Sequence, residues 1–204
     1  MKFNYKVLLV LLALPLLDVF YACCNCNDKV EEKFYVNSGF SLKNIDNSGE
    51  EPLEATSENI NKKAYGIRLQ VNRQTLSFRN NEAYQPLFSQ GAYATSCDCP
   101  PEITYDHTDK VESIKIITLH DFTADKKANS DITEHFKLHK RYVGVAEVVK
   151  SLNYNFSYEL KESEYFDLLL MNPPSEGNIQ HQFKLIITFE NKPAVELLTA
   201  VNLI

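Results

Sequence analysis

The chain reads as mainly β, an antiparallel two-sheet sandwich of immunoglobulin-like form with one or two short helices inserted between strands. Three observations predict that class. Apolar residues alternate with polar ones along several stretches, the period of a half-buried strand. Clusters of Asp, Asn, Ser, Gly and Pro separate those stretches. Helical spacing of apolar residues is confined to short segments, and no repeat, heptad or low-complexity tract divides residues 33–204, which read as one domain.

The first element is a leader. Lys2 and Lys6 precede the apolar run Val7 to Leu17, and Asp18 and Phe20-Tyr21-Ala22-Cys23 follow. A basic start, an apolar run and a small residue before a cysteine lay out a lipoprotein signal peptide over 1–22, with Cys23 as the lipidation site. The run holds 11 residues, Pro15 among them, and a bilayer core needs about 20. A secretory leader cut near Ala22, with Cys23 left unmodified, is the alternative. Acyl chains such as palmitate on Cys23 would hold the protein at a membrane by about 0.8 kcal/mol per buried CH2. Residues 23–32 are then the tether.

Strands come next. Phe34, Val36, Phe40 and Leu42 share one face of a segment ending near Ile45. Tyr65, Ile67, Leu69 and Val71 share a face against Gly66, Arg68, Gln70 and Asn72. The apolar parity then flips to Leu76 and Phe78, which predicts a bulge or turn near Asn72 and Arg73. Val111 to Leu119 is apolar on both faces, the mark of a central strand. Residues 164–171 fit a helix or a buried strand, and the following Asn172-Pro173-Pro174 favours the strand. Phe183 to Phe189 and Val195 to Leu203 alternate on either side of Glu190-Asn191-Lys192-Pro193, a hairpin.

Two segments carry helical signals. Val145, Val148, Val149 and Leu152 fall at i, i+3, i+4 and i+7. Asp131 to Leu138 is a second short helix, with Ser130 as N-cap and Ile132 and Phe136 inward. Loops occupy 46–52, 79–101, 123–130 and 172–179.

Charge and cysteines narrow the partners and the compartment. The full chain has a net charge of −6; loss of Lys2, Lys6 and Asp18 with the leader leaves 19 basic against 26 acidic side chains, about −7. Such a surface lacks the basic footprint for phosphate backbones, so no nucleic-acid partner is expected. Besides Cys23, the cysteines form two Cys-x-Cys pairs, Cys24/Cys26 and Cys97/Cys99. In an oxidising space these are disulfide candidates. Antiparallel segments would join Cys24 to Cys99 and Cys26 to Cys97; parallel segments would swap the partners, and the sequence does not choose. A four-thiolate zinc or copper(I) site is the sharper alternative, although structural zinc sites space their cysteines by two to four residues.

No residue set reads as catalytic. His135 and His139 lie four apart, but without a Glu-x-x-His context and beside Lys137, Lys140 and Arg141 they read as a solvated face. His120 and Asp121 would point to opposite faces of a strand. Gly-x-Ser-x-Gly and phosphate-cradling glycine loops are absent. Glu50/Glu51 and Glu162/Glu164 read as surface charge ahead of a glycosidase pair or calcium ligands. There is no Trp for a sugar platform, and Tyr154, Tyr158 and Tyr165 read as core or sheet-face residues. No cofactor or metal is therefore expected.

Cys23, the Asp-Asn-Ser-Gly turn at 46–49, Ala64-Tyr65-Gly66-Ile67-Arg68-Leu69, Cys97-Asp98-Cys99-Pro100, and Ser113-Ile114-x-Ile116 leading to Asp121-Phe122 belong to one pattern. With them the chain resembles the uncharacterised outer-membrane lipoproteins of the Bacteroidetes, families described as domains of unknown function. The resemblance spans most of the mature chain and implies outer-membrane location and a β-rich fold, with no activity attached. Those families often carry acidic residues directly after the lipidated cysteine. Here Asp28, Glu31 and Glu32 follow only after Cys24-Asn25-Cys26-Asn27, which leaves periplasmic and surface-facing orientations both open. The functional expectation is a lipid-anchored binding or structural module of the cell envelope, its partner an envelope protein or extracellular polymer. A subunit of a fimbria or nutrient importer, or a metal-dependent enzyme, are the alternatives.

Overall fold

Alternation in the sequence becomes two β-sheets and one helix. The computed structural model describes residues 30–76, 102–157, 159–175, 177 and 179–204. The leader, all five cysteines and Tyr158 lie outside them, and so do the lipidation, disulfide and thiolate-metal readings. The larger sheet contains β1 (Val30–Asp46), β2 (Leu53–Glu54), β4 (Tyr65–Leu76), β5 (Glu102–His107), β7 (Phe136–Leu138), β8 (Val143–Gly144), β9 (Phe156–Ser157) and β10 (Ser163–Leu170). Its order is β8-β7-β10-β4-β1-β5-β9, with β2 paired to the end of β1. The smaller sheet runs β3 (Asn59–Ile60), β12 (Val195–Leu203), β11 (Ile179–Phe189), β6 (Val111–Thr118). Most pairs are antiparallel as expected, but β5 runs parallel to β1 and β3 parallel to β12.

One core joins the inner faces. Tyr65, Ile67, Leu69 and Val71 of β4 are buried with Phe183, Leu185 and Ile187 of β11, and Tyr65 stacks on Phe183 at 5.5 Å. Each fully buried side chain of this kind contributes roughly 1.5–3 kcal/mol. The alternate residues Arg68, Gln70 and Asn72 point outward, which is how β4 both builds the core and floors a surface site. Gly66 lets β4 approach β10: a Cβ there would sit 2.8 Å from the Leu168 carbonyl and 2.9 Å from Ile45 Cγ1.

Several sequence expectations shift. The irregularity placed at Asn72 and Arg73 lies across the ladder: Asn37 pairs with Arg73 and Gly39 with Asn72, so Ser38 is the extra residue on β1. It also splits the single apolar face read for 34–42. Tyr35 and Asn37 are buried before the bulge, while Phe40 and Leu42 pack on the core after it. The two-faced apolar segment at 111–119 is an edge strand. Its outer side is covered by other means, since Asn153 bonds both the amide (2.9 Å) and carbonyl (2.8 Å) of Val111, Thr133 accepts from the Ile116 amide (2.8 Å), and Ser130 accepts from that of Thr118 (3.1 Å). Only one of its faces is buried: Ile114, Ile116 and Thr118 point into the core, while Lys115 is exposed and Ser113 and Ile117 are half-buried.

The expected helix at 131–138 is a 3-10 turn, Thr133–His135, followed by β7. Asp131 caps it through the Thr133 amide at 2.9 Å, in place of Ser130. Ile132 and Phe136 are buried, as their spacing required. The other helix, α1 (Ala146–Leu152), forms with Val145, Val148 and Leu152 buried, and it packs beside β6. Residues 163–170 form a strand and 179–203 a hairpin, both as read. Among the described residues no helix is long and apolar enough to cross a membrane.

Candidate functional site

A groove of about 950 Å³ lies against the outward face and free edge of β10. Its floor follows from strand parity. Arg68 on β4 and Asp167 on β10 are direct cross-strand partners on the outer face, so the guanidinium reaches both carboxylate oxygens, Nε to Oδ1 at 2.6 Å and the terminal nitrogen to Oδ2 at 2.8 Å. Arg68 also donates to the Pro52 carbonyl at 3.3 Å and lies 4.2 Å over the Tyr165 ring. The bond to Asp167 raises the Arg68 pKa, outweighing the opposite effect of burial. This pair is thus a fixed, neutralised floor.

Two loops make the walls. Residues Glu51 to Leu53 come from the β1–β2 connection, and His139 to Arg141 from the β7–β8 turn. In that turn Lys140 (φ 68°) and Tyr142 (φ 52°) adopt the left-handed conformation that non-glycine residues seldom take. The strain is held by Tyr142 N–H donating to the Leu138 carbonyl (2.8 Å) and His139 N–H donating to the Asp167 carbonyl (2.8 Å). Glu51 lies 3.7 Å from Lys140 and 4.0 Å from His139 Nδ1. Arg141 and Lys161, both exposed, have no ion-pair partner among the described residues. The groove therefore holds two uncommitted cations on a protein of net charge −6.

Between them the edge of β10 has no strand partner among the described residues. The Arg73 amide donates to the Glu162 carbonyl at 2.7 Å, which fixes Glu162, Glu164, Phe166 and Leu168 as the residues bonding β4. Ser163, Tyr165 and Asp167 then turn their backbone groups the other way. β7 pairs only with Leu168 to Leu170, and His139 takes the Asp167 carbonyl. Ser163 and Tyr165 have no backbone partner on that side among the described residues. Behind this edge a second cavity, about 250 Å³, is lined by Lys150, Ser151, Tyr154, Phe156 and Glu164.

Charged residues on the inner side serve structure. The Arg73 side chain is fully buried, bonds Glu164 at 2.7 Å and lies 5.0 Å over Phe156. Asp109 accepts from the Asn37 amide at 3.2 Å and from Lys192, whose ammonium lies 3.9 Å over Phe189, so the β1 bulge is tied to the β11–β12 turn. Burial pushes the Tyr35 phenol up to about 12, and its hydroxyl donates to the Tyr154 carbonyl at 3.0 Å.

The residues weighed from sequence disperse. His135 packs edge-on to Phe122 at 5.2 Å, whereas His139 is in the groove wall; the 3-10 turn and β7 between them replace the helix that would have aligned two imidazoles. Lys127 and the Ala128 amide bond Asp121 and hold its carboxyl below the usual range, while His120 is exposed nearby. Glu51 joins the groove but Glu50 does not; Glu164 pairs with Arg73 and Glu162 is exposed. Tyr165 is a sheet-face residue as read. Tyr154 is 64% exposed, because its backbone, not its ring, is what Tyr35 anchors. Among the described residues no three His, Cys, Asp or Glu side chains gather as metal ligands. Sequence reading missed the groove; the run Lys137 to Arg141 in an acidic chain was the signal for it.

These features define a mainly β, two-sheet domain with a charged groove beside an unpaired strand edge. The chain belongs to the family described as Domain of unknown function (DUF5034), matched over residues 37–200, from the β1 bulge into β12. No curated protein matches it.

Proposed function

We propose that this protein is a lipid-anchored module of the cell envelope, tethered to the outer membrane through Cys23, whose folded domain binds another envelope component without catalysis. The observation that carries the binding reading is the groove on β10, a concave surface built on rigid strands with fixed charge pairs on its floor and free cations at its rim. The non-catalytic reading is supported by how its hydroxyls are engaged: Ser151 donates to the Glu147 carbonyl (3.0 Å) and Ser163 accepts from Gln70 (3.3 Å). The only carboxylate recorded beside His139 among the described residues is Glu51. The immunoglobulin-like form of the sandwich belongs to the same proposal, supported by one shared core between the two sheets.

Anchorage rests on the leader, Lys2 to Cys23. Cells grown with radiolabelled palmitate should label the wild-type protein and not Cys23→Ala, and the wild type should sediment with membranes. A wild type that takes up no label and stays wholly soluble refutes the anchor. The second reading, a subunit of a larger envelope assembly, is favoured by the open β10 edge, since unprotected edges invite strand pairing. Solubilised membranes that yield only a solitary monomer would count against it.

A further inference from the structure

We infer that the open edge of β10, Ser163 to Asp167, receives an extended acidic polypeptide segment of an envelope protein as an added strand; this rests on the binding function proposed above and names its partner class. The lane is defined by where β7 leaves it. β7 runs antiparallel along Leu168 to Leu170, then the strained turn at Lys140 and Tyr142 folds the chain back into β8 on the far side of β7, away from the lane. The remaining five residues span roughly 16 Å at about 3.3 Å per residue. Ser163 and Tyr165 present amides and carbonyls to it.

Several other edges are managed. Asn153, Thr133 and Ser130 cover β6; β3 and the Asn44 amide, bonded to the Ala200 carbonyl at 2.8 Å, cover the C-terminal part of β12. β8 and β9 are only two residues long. Natural sheets protect edges in these ways; the lane on β10 has no such cover among the described residues, and it alone of these edges is flanked by Arg141 and Lys161.

Strand addition draws affinity from main-chain bonds and specificity from alternate side chains. An incoming strand here would set one row of side chains beside the Tyr165 ring, which is 60% exposed, and the other row over the second cavity at Tyr154 and Phe156. Charge selects the sign. Lys161 precedes the lane at one end and Arg141 stands at the other, neither with an ion-pair partner among the described residues. An acidic segment meets repulsion over most of this protein and complementarity here.

The test is fluorescence anisotropy on the full protein in detergent. The probes are a labelled heptapeptide alternating valine and glutamate, its valine–lysine counterpart, and the glutamate peptide N-methylated at alternate amides. The glutamate peptide should bind at least tenfold more tightly than the lysine peptide. N-methylation in one of the two possible phases should weaken it at least tenfold, and Arg141→Glu with Lys161→Glu should reverse the charge preference. Tyr165→Pro removes an edge amide without touching the β4 ladder and should also cost at least tenfold; Tyr165→Ala, which keeps the amide, should cost less. If Tyr165→Pro fails to fold, the methylated peptides give the same test from the ligand side. No binding at millimolar peptide, equal binding of the glutamate and lysine peptides, or indifference to both methylation phases overturns the strand. Binding of inorganic phosphate or polygalacturonate that Arg141→Glu abolishes, with no peptide binding, would overturn the strand and leave a binding groove standing.

Discussion

Removing Glu164 should destabilise the protein more than removing the arginine it serves. The Arg73 side chain is fully buried against the paired rings of Phe156, at 5.0 Å, and Tyr35, at 6.0 Å, while the Glu164 side chain is 30% exposed. Truncating one partner of a buried pair costs about 3–5 kcal/mol, because the other charge stays desolvated. Water reaches the Glu164 side, and the Lys161 carbonyl still accepts from Arg73 at 3.4 Å, so Glu164→Ala should cost less than that ceiling, about 2–3 kcal/mol. Arg73→Met removes the charge and keeps most of the apolar contact; the loss is then mainly the cation–ring attraction, roughly 1 kcal/mol. At about 2–4 °C per kcal/mol for a domain of this size, Glu164→Ala should melt some 5–10 °C below wild type. Urea unfolding followed by far-ultraviolet circular dichroism suits a chain without Trp. The double variant should match Arg73→Met. A Glu164→Ala protein within about 0.5 kcal/mol of wild type, or one more stable than Arg73→Met, would refute the claim that a buried cation dominates here.

Gly66→Ala forces a methyl against the Leu168 carbonyl at 2.8 Å, and thermal unfolding should show a loss of about 3 kcal/mol, the upper range for overpacking; an unchanged melting point would show that β4 and β10 separate freely. Burial raises the phenols of Tyr35, to about 12, and Tyr65. Neutral phenol is favoured in the fold, so this stability is full below about pH 10 and is lost as pH rises toward 12. Phenolate absorbance should show a late-titrating fraction that appears only with alkaline unfolding and shrinks in Tyr35→Phe; eleven tyrosines titrating as one class would contradict it. The cysteines lie outside the described residues, but β1 and β5 start side by side in parallel, Val30 opposite Glu102. Peptide mapping without reductant should recover bridges joining the Cys24/Cys26 pair to the Cys97/Cys99 pair, together stabilising the chain by about 4 kcal/mol; four free thiols would sink that reading.

How far the sequence carries depends on whether the decisive interaction is local. The β11–β12 hairpin was legible because alternation and turn chemistry agree within one short span, and α1 because Val145, Val148 and Leu152 need only each other's spacing. The segment 131–138 misled for the same reason. Asp131 bonds the Thr133 amide and oxygen at the start of the turn, and the edge of β10 draws Phe136 to Leu138 into a sheet, which ends the helix after one turn. β6 looked central because Ile114, Ile116 and Ile117 adjoin, yet only one face is buried and its edge is closed by Asn153 and residues 129–133, partners no periodicity announces.

The groove was hidden for a stronger reason. Its floor joins Arg68 to Asp167, 99 positions apart, and its rim brings Arg141 toward Lys161 across α1 and β9. Its opening is a missing strand partner, which no residue type encodes. Only the cationic turn was visible in advance, and there it argued against a metal without pointing to a ligand.

β1 sits between β4 and β5, so the earliest described segment to leave a ribosome or translocon is wedged into the middle of the larger sheet. Neither flank exists until residues 65–76 and 102–107 have emerged. The Val30–Tyr35 end must wait longest, for a partner made about seventy residues later. That layer grows outward from its first strand only as β4 and then β5 arrive on its two sides, and the long separations place its folding among the slower topologies. A cell making this chain has reason to shield β1 until those partners arrive.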